Sequence, residues 1–433
     1  MYDLRIENGS VWLNDAFVKT NLYVQNGIFA KISTDILPAK DIIDARERLI
    51  IPGLIDPHVH FALQCGKRSS RDDFYSGSVS AAFGGVTTYI DFLDPTDNAV
   101  DLEKSFYRRL EEAKESVVDY KFHACIKNPK GDLEAYVKKM LELGMTSVKL
   151  FTTYSDSGRR TDDPEIKALL RLSEKYGFLV TAHIENDDMI RHDPQFTYRD
   201  LTTSRPSSAE TTEALKLAGF VGECGGTLYM VHCSSGNTLA ALKKQYPHLL
   251  NRKLFVESCP HYFLFTSDKL QGADGSLYTM APPLRSESER QKLIELFPEL
   301  TAIGTDHCPF LTEEKQQKSL DLMPLGIGGI EQAFSVLYPH FGNSLISRMT
   351  DKTARIHRIN PKKGSIAAGA DADFFILHLE QNQTMQSHHS RCDYDLFRNL
   401  PIAGTIESTV VRGRFVVRNG QFMGGHGHWI REE

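Results

Sequence analysis

The chain has 433 residues, 41% of them hydrophobic and 24% charged, with a formal net charge of −6. This suits a soluble protein with one large domain and a smaller one, and the mild acidity argues against nucleic acid or an anionic membrane as partner. No apolar stretch approaches the roughly 20 residues that span a bilayer, the N-terminus lacks a signal-peptide pattern, and seven cysteines are scattered without paired spacing, so a cytoplasmic protein with reduced thiols is expected.

In chain order, residues 1–50 read as short strands. Apolar and polar residues alternate through LRIENGSVWLNDAFVKTNLYVQNGIFAKIS, with Asn-Gly hairpin signals at Asn8 and Asn26. The run LIIPGLIDPHVHF, Leu49–Phe61, reads as a buried strand that ends by placing His58 and His60 on one face. Next come GGVTTYIDFL, a strand, and LEKSFYRRLEEAKESV, a helix. TSVKLFT and DPEIKALLRLSEKYG repeat that pairing, and FLVTAHIEN, TLYMVHCSS and AIGTDHCPF continue the strand series. Strand–helix units over about 300 residues predict a parallel sheet, and a closed (β/α)8 TIM barrel fits that length. After it, DADFFILHLE and STVVRGRFVVRNGQFMG read as strands again, with a third Asn-Gly at Asn419. The expectation is therefore an α/β chain. The barrel spans 51–359, a small β-sandwich domain forms from both termini (1–50 and 360–425), and residues 426–433 are a C-terminal tail, either docked on a neighbouring subunit or disordered.

In a barrel, chemistry gathers at the C-terminal ends of the strands. His58 and His60, His183 in FLVTAH, His232 in LYMVH and Asp306 in AIGTD each close an apolar strand pattern. Any one alone also fits a hydrogen-bonded rim residue, but together neutral imidazoles and a carboxylate suit zinc or a similar divalent ion. The second His-x-His pair, His426 and His428, lies in the tail and is read as incidental. Lys149 stands in the buried strand pattern TSVKLFT. An unpaired ammonium there is costly, so it either finds an acid, reaches out of the sheet, or loses its proton beside cations and takes up CO2 as a carbamate.

The motifs DPHVH, SVKLF, VTAHIEN, VHCSS and GTDHCPF resemble, in order, the metal-site motifs of the amidohydrolase superfamily, most closely its cyclic amidase branch of hydantoinases and dihydropyrimidinases. RDDF, APPLR (Ala281–Arg285), GIEQ (Gly329–Gln332), GADADF and SHHSRCDYDLF extend the resemblance over the whole chain. It implies a binuclear site for two divalent ions, Zn2+ foremost. His58, His60 and Asp306 would hold one ion and His183 and His232 the other, with carbamylated Lys149 and a hydroxide as bridges. Asp306 would accept the hydroxide's proton and pass it to the leaving ring nitrogen. Tyr154, five residues after Lys149, would donate to the oxyanion. The substrate implied is a small cyclic amide or imide, a 5,6-dihydropyrimidine or hydantoin opened to an N-carbamoyl amino acid, and the assembly a homo-oligomer, tetramer or dimer.

Ala281 and Gly328, with Phe61 and Leu63 as an apolar wall, complete the expected substrate pocket; Gly328 stands where the branch usually has asparagine. Arg159 and Arg160 either attract an anionic substituent or pair with Asp162 and Asp163. Cys65 receives no role. Dihydroorotase and allantoinase are the alternative activities. Dihydroorotases, however, carry an arginine where this chain has Ala62 and favour asparagine at the place of Ala281. An alternative of another class is a non-catalytic, oligomeric interaction protein, the fate of relatives that have lost their metal ligands.

Overall fold

The computed structural model describes residues 1–65, 68–129 and 131–431, with the side chain of Cys65 outside it. Eight parallel strands form the central sheet: β1 (Leu54–Val59), β2 (Val86–Phe92), β3 (Asp119–Cys125), β4 (Ser147–Phe151), β5 (Leu179–His183), β6 (Leu228–Met230), β7 (Leu254–Ser258) and β8 (Ala302–Ile303). Each pairs with the next in chain order, as βαβ connections require. A parallel bridge between Val59 and His307, carried by the His60 N–H to the His307 carbonyl at 2.9 Å, brings β1 against the segment after β8 and closes the barrel. Helices cover the outside. The helix Ala99–Glu112 starts at an Asn98 cap that accepts from the Asp101 N–H, and it buries Leu102, Phe106 and Arg109 along one stripe.

Strands β3 and β7 do not stand out in the sequence. DYKFHAC and LFVES carry Lys121, His123 and Glu257, which break the apolar run, yet all three are buried. Here tertiary hydrogen bonding compensates what composition argues against: His123 sits between the Pro57 carbonyl at 3.0 Å and Ser147 Oγ at 2.5 Å.

Both termini build the second domain. One sheet orders Ile28–Ser33, Asn21–Gln25, Tyr2–Glu7 and Ala39–Asp44; the other has seven strands and includes Arg48–Pro52, Phe374–Thr384 and Pro401–Val411. Side chains alternate across that larger sheet. Ile50, Phe374, Ile376 and Val410 face the sandwich core, and Ile51, Phe375, Leu377 and Val411 face the barrel core. A sheet buried on both faces explains the unbroken apolar run at 49–52. The run is two strands rather than one. The chain changes sheets at Gly53, so the barrel begins past residue 51, and a Cβ on Gly53 would lie 2.1 Å from Thr87 Oγ1.

The C-terminal tail, over the described residues up to Arg431, lies along the barrel wall. Tyr120 N–H donates to the His428 carbonyl and Ile430 N–H to the Tyr120 carbonyl, at 3.0 and 2.9 Å. Trp429 packs its ring on Phe106 and Phe122, with centroids 5.3 and 5.1 Å away. Packing of one half-buried aromatic ring and pairing along β3 hold the segment. No helix among the described residues is long and apolar enough to cross a membrane.

Candidate metal centre

The strand ends converge on a cavity of about 550 Å3 at the C-terminal face of the barrel. His58 Nε2 lies 3.2 Å from His60 Nε2, and both nitrogens lie 3.1 Å from Asp306 Oδ1. These three side chains can each offer a ligand atom to one ion. His183 and His232 stand beside them, ring centroids 4.5 Å apart, with His232 5.4 Å from His58. Lys149 enters the same cavity from β4, its Nζ 4.7 Å over the Phe92 ring and 5.4 Å from that of Phe151. Among the described residues, no hydrogen bond or carboxylate pairs with that buried amine.

Two further carboxylates decide which imidazole nitrogens face the cavity. Glu257 Oε1 accepts from His58 Nδ1 at 2.8 Å, leaving Nε2 for an ion, and Glu185 Oε2 accepts from His183 Nε2 at 2.7 Å, leaving Nδ1. An imidazole backed by a carboxylate and open on its other nitrogen is a metal-ligand arrangement, so the donor set fits a divalent ion.

The sequence profile of the amidohydrolase family matches residues 49–416. The chain belongs to the amidohydrolase family. It is 32% identical to a D-phenylhydantoinase of Escherichia coli O81 (strain ED1a), over 99% of this chain and 98% of that one. With a D-hydantoinase of Geobacillus stearothermophilus it shares 31% identity over 98% and 96%. A dihydropyrimidinase structure from Brevibacillus agri NCHU1002 superposes with a TM-score of 0.94 at 26% identity, covering 100% of this chain and 99% of the other.

In this amidohydrolase the electrostatics follow from burial and close pairing. Burial pushes Asp306 up, but His58 and His60 outweigh it and hold the carboxyl well below its ordinary range. Burial lowers His60 to about 4. It also lowers Lys149, toward the neutral amine that reacts with CO2. Tyr154 is raised to about 12 by burial, against the opposing charge of Arg205.

Asp306 adopts a left-handed backbone at φ 52°, a conformation that costs a non-glycine residue about 1–3 kcal/mol. Its two neighbours are pinned. Thr305 donates its N–H and hydroxyl to Asp56. His307 Nδ1 accepts from the Gly329 and Ile330 N–H groups at 3.1 and 3.2 Å, which puts the proton on Nε2, 2.9 Å from Asp72. Burial would raise Asp72, yet the His307 bond, with Ser390 and the Arg391 N–H, brings it down to about 2 from 3.8. A depressed carboxylate stabilises the fold above its ordinary pKa and loses that effect as pH falls through the folded value. Asp72→Asn should therefore destabilise the metal-free protein near neutrality by about 1–3 kcal/mol. Denaturant unfolding at a series of pH values should show the gap from wild type closing between 3.8 and about 2; a gap independent of pH would rule the charge out.

Leu63, Tyr154 and Ala281 line the cavity. Phe61 does not. It stands in the turn after β1, where Ala62 has a left-handed backbone at φ 50°, and is fully buried against Phe74 and Tyr89 with centroids at 5.9 and 4.8 Å. Gly328 is also absent from the cavity wall, and a Cβ on it would lie 3.6 Å from His307 and Pro309. Arg160 pairs with Asp162, Asp187 and Asp188, whereas Arg159 lines the cavity. Cys65 falls outside the described side chains. A second acidic cluster, Asp119, Asp371 and Asp373, is already occupied by Lys363 Nζ at 2.5–2.8 Å, with Arg412 also on Asp119.

Sequence reasoning missed Glu185, Glu257 and Arg205. Two of them carried a signal. Glu185 follows His183 at the same-face spacing in HIEN, and Glu257 is an acid inside an apolar strand, the mirror of Lys149.

Proposed function

We propose that this amidohydrolase hydrolyses a cyclic amide or imide, a 5,6-dihydropyrimidine or a hydantoin, to an N-carbamoyl amino acid. The observation that carries this is the gathering of His58, His60, Lys149, His183, His232 and Asp306 on one cavity at the barrel's C-terminal face. In this reading His58, His60 and Asp306 hold one divalent ion, and His183 and His232 a second. Zinc is the proposed metal, from the imidazole and carboxylate donors. Lys149 would form an N–C bond to CO2 with release of a proton, and the resulting carbamate would supply an anionic ligand to these ions. When bound, two such ions polarise the ring carbonyl and acidify a water.

The chain's own groups do the rest. Asp306 takes the proton of the attacking water, and the same oxygen returns it to the ring nitrogen as the C–N bond breaks. Tyr154 keeps its proton to a pKa of about 12 and so remains a donor at neutral pH. Its hydroxyl then bonds the carbonyl oxygen as charge develops there. The volume, about 550 Å3, admits a ring with a substituent, and Leu63, Leu320 and Met323 supply apolar wall.

The test is turnover of dihydrouracil, dihydrothymine, hydantoin, 5-substituted hydantoins, allantoin and dihydroorotate, with metal analysis of the same sample. Ring opening of the first four classes with about two ions per chain is expected. A metal-free folded protein inactive on all six overturns the reading. Tyr154→Phe should lower kcat by about 10²–10³ with KM little changed; a kcat equal to wild type would remove Tyr154 from the oxyanion role.

A further inference from the structure

Arg205 is buried, 5% exposed, although it carries a charge and borders the cavity. Its Nη1 donates to Glu185 Oε2 at 2.5 Å, the same oxygen that binds His183 Nε2 at 2.7 Å. The central carbon of its guanidinium lies 4.8 Å from the centre of the Tyr154 ring, which in turn stands 5.1 Å from the His183 ring. One side chain therefore touches both the carboxylate behind a proposed metal ligand and the proposed oxyanion donor.

The arginine is itself anchored. It follows the short helix Leu201–Ser204, and its carbonyl accepts from Arg285 Nη1 at 2.6 Å. Arg285 in turn donates from Nε to Ser234 Oγ at 2.8 Å, and Ser234 donates its N–H to Glu210 at 3.0 Å. Tyr154 needs such support. It has a left-handed backbone at φ 68°, and its ring stands at the rim rather than in the packed core.

We propose that Arg205 is a positioning residue that locks the imidazole of His183 and the phenol of Tyr154 into one mutual orientation, through Glu185 on one side and a cation–π contact on the other. A guanidinium suits both tasks, since its fork of donors bonds the carboxylate while its delocalised charge lies over the ring; a lysine ammonium is a compact point charge on a flexible stem. The inference rests on the ring-opening reading for its kinetic arm and on the donor geometry alone for its metal arm.

The experiment compares wild type, Arg205→Ala, Arg205→Lys, Tyr154→Phe and the Arg205→Ala/Tyr154→Phe double variant. Loss of an outer partner typically costs about 10–100-fold. Arg205→Ala should lose that factor in kcat with KM within about twofold, and added guanidinium ion should restore part of it. The double variant should lose less than the product of the two single losses, because part of the Arg205 effect acts through the Tyr154 hydroxyl. In a chelator challenge, Arg205→Ala should release one of its bound ions about 10–100-fold faster than wild type. Arg205→Lys, which keeps the charge and folds if the alanine variant does not, should show the same changes at smaller size.

Wild-type kcat and wild-type ion release in Arg205→Ala or Arg205→Lys overturn the inference. So does a loss accompanied by a lowered Tm, additive with Tyr154→Phe and not rescued by guanidinium, which is the signature of packing alone. If the wild-type protein opens none of the rings, the functional reading fails and the chelator arm still decides the role of Arg205.

Discussion

Lys149→Ala should abolish ring opening, and small carboxylic acids should restore part of it. The amine is buried, has no carboxylate or hydrogen-bond partner among the described residues, and lies over two aromatic faces. An ammonium kept only for stability would have an acid beside it, as Lys363 has three. Burial instead favours the neutral form, and a neutral amine is what combines with CO2. The resulting anion offsets charge in a cavity that would hold two cations. Without it the fall in turnover should exceed about 100-fold, the upper range for losing an outer partner. Acetate or propionate can occupy the space vacated by the side chain and return a carboxylate. The measurement is steady-state turnover with and without the acid, alongside metal content. Full turnover in the variant, or a loss that no carboxylate relieves, would remove the bridge.

Asp306→Asn should be comparably damaging for a different reason. The amide preserves the shape, so His58 and His60 keep a neighbour at the same place, but it neither carries charge nor accepts a proton to hold. His58 and His60 hold the carboxyl well below its ordinary range, so it is ionised and, in the proposed reaction, would be the proton acceptor. Loss of a positioned acid–base group costs about 10²–10⁴ in rate. Because the same oxygen faces both imidazoles at 3.1 Å, the variant should also bind its metals more weakly. Activity within about tenfold of wild type would reassign the proton transfer to another group.

How much of this was legible beforehand differs by residue. His58 and His60 share a face because strands alternate, a local rule that needs no tertiary information. Lys149 announces itself because a cation interrupts an apolar strand. Glu257 carries the same kind of signal and was passed over, since no motif drew attention to LFVES. Arg205 carries none. It stands at the end of a short helix before Pro206, and only the fold brings it within reach of Glu185 and Tyr154. Phe61 is not part of the cavity wall because the chain turns immediately after β1, with Ala62 left-handed, and packs that ring against Phe74 and Tyr89 while Leu63 reaches the cavity.

The amino-acid pattern by itself determined the barrel with a two-ended β-domain and the residue types presented at the strand exits. Those depend on periodicities of 2 and 3.6 that short segments already carry. Tertiary structure alone decided which nitrogen of each imidazole faces inward, which carboxylates stand behind them, that β3 and β7 tolerate buried charge, and that the C-terminal segment with Trp429 closes on the barrel wall. Each of those depends on partners distant in sequence, and a hydrogen bond or ring contact exists only where the folded chain brings both groups together.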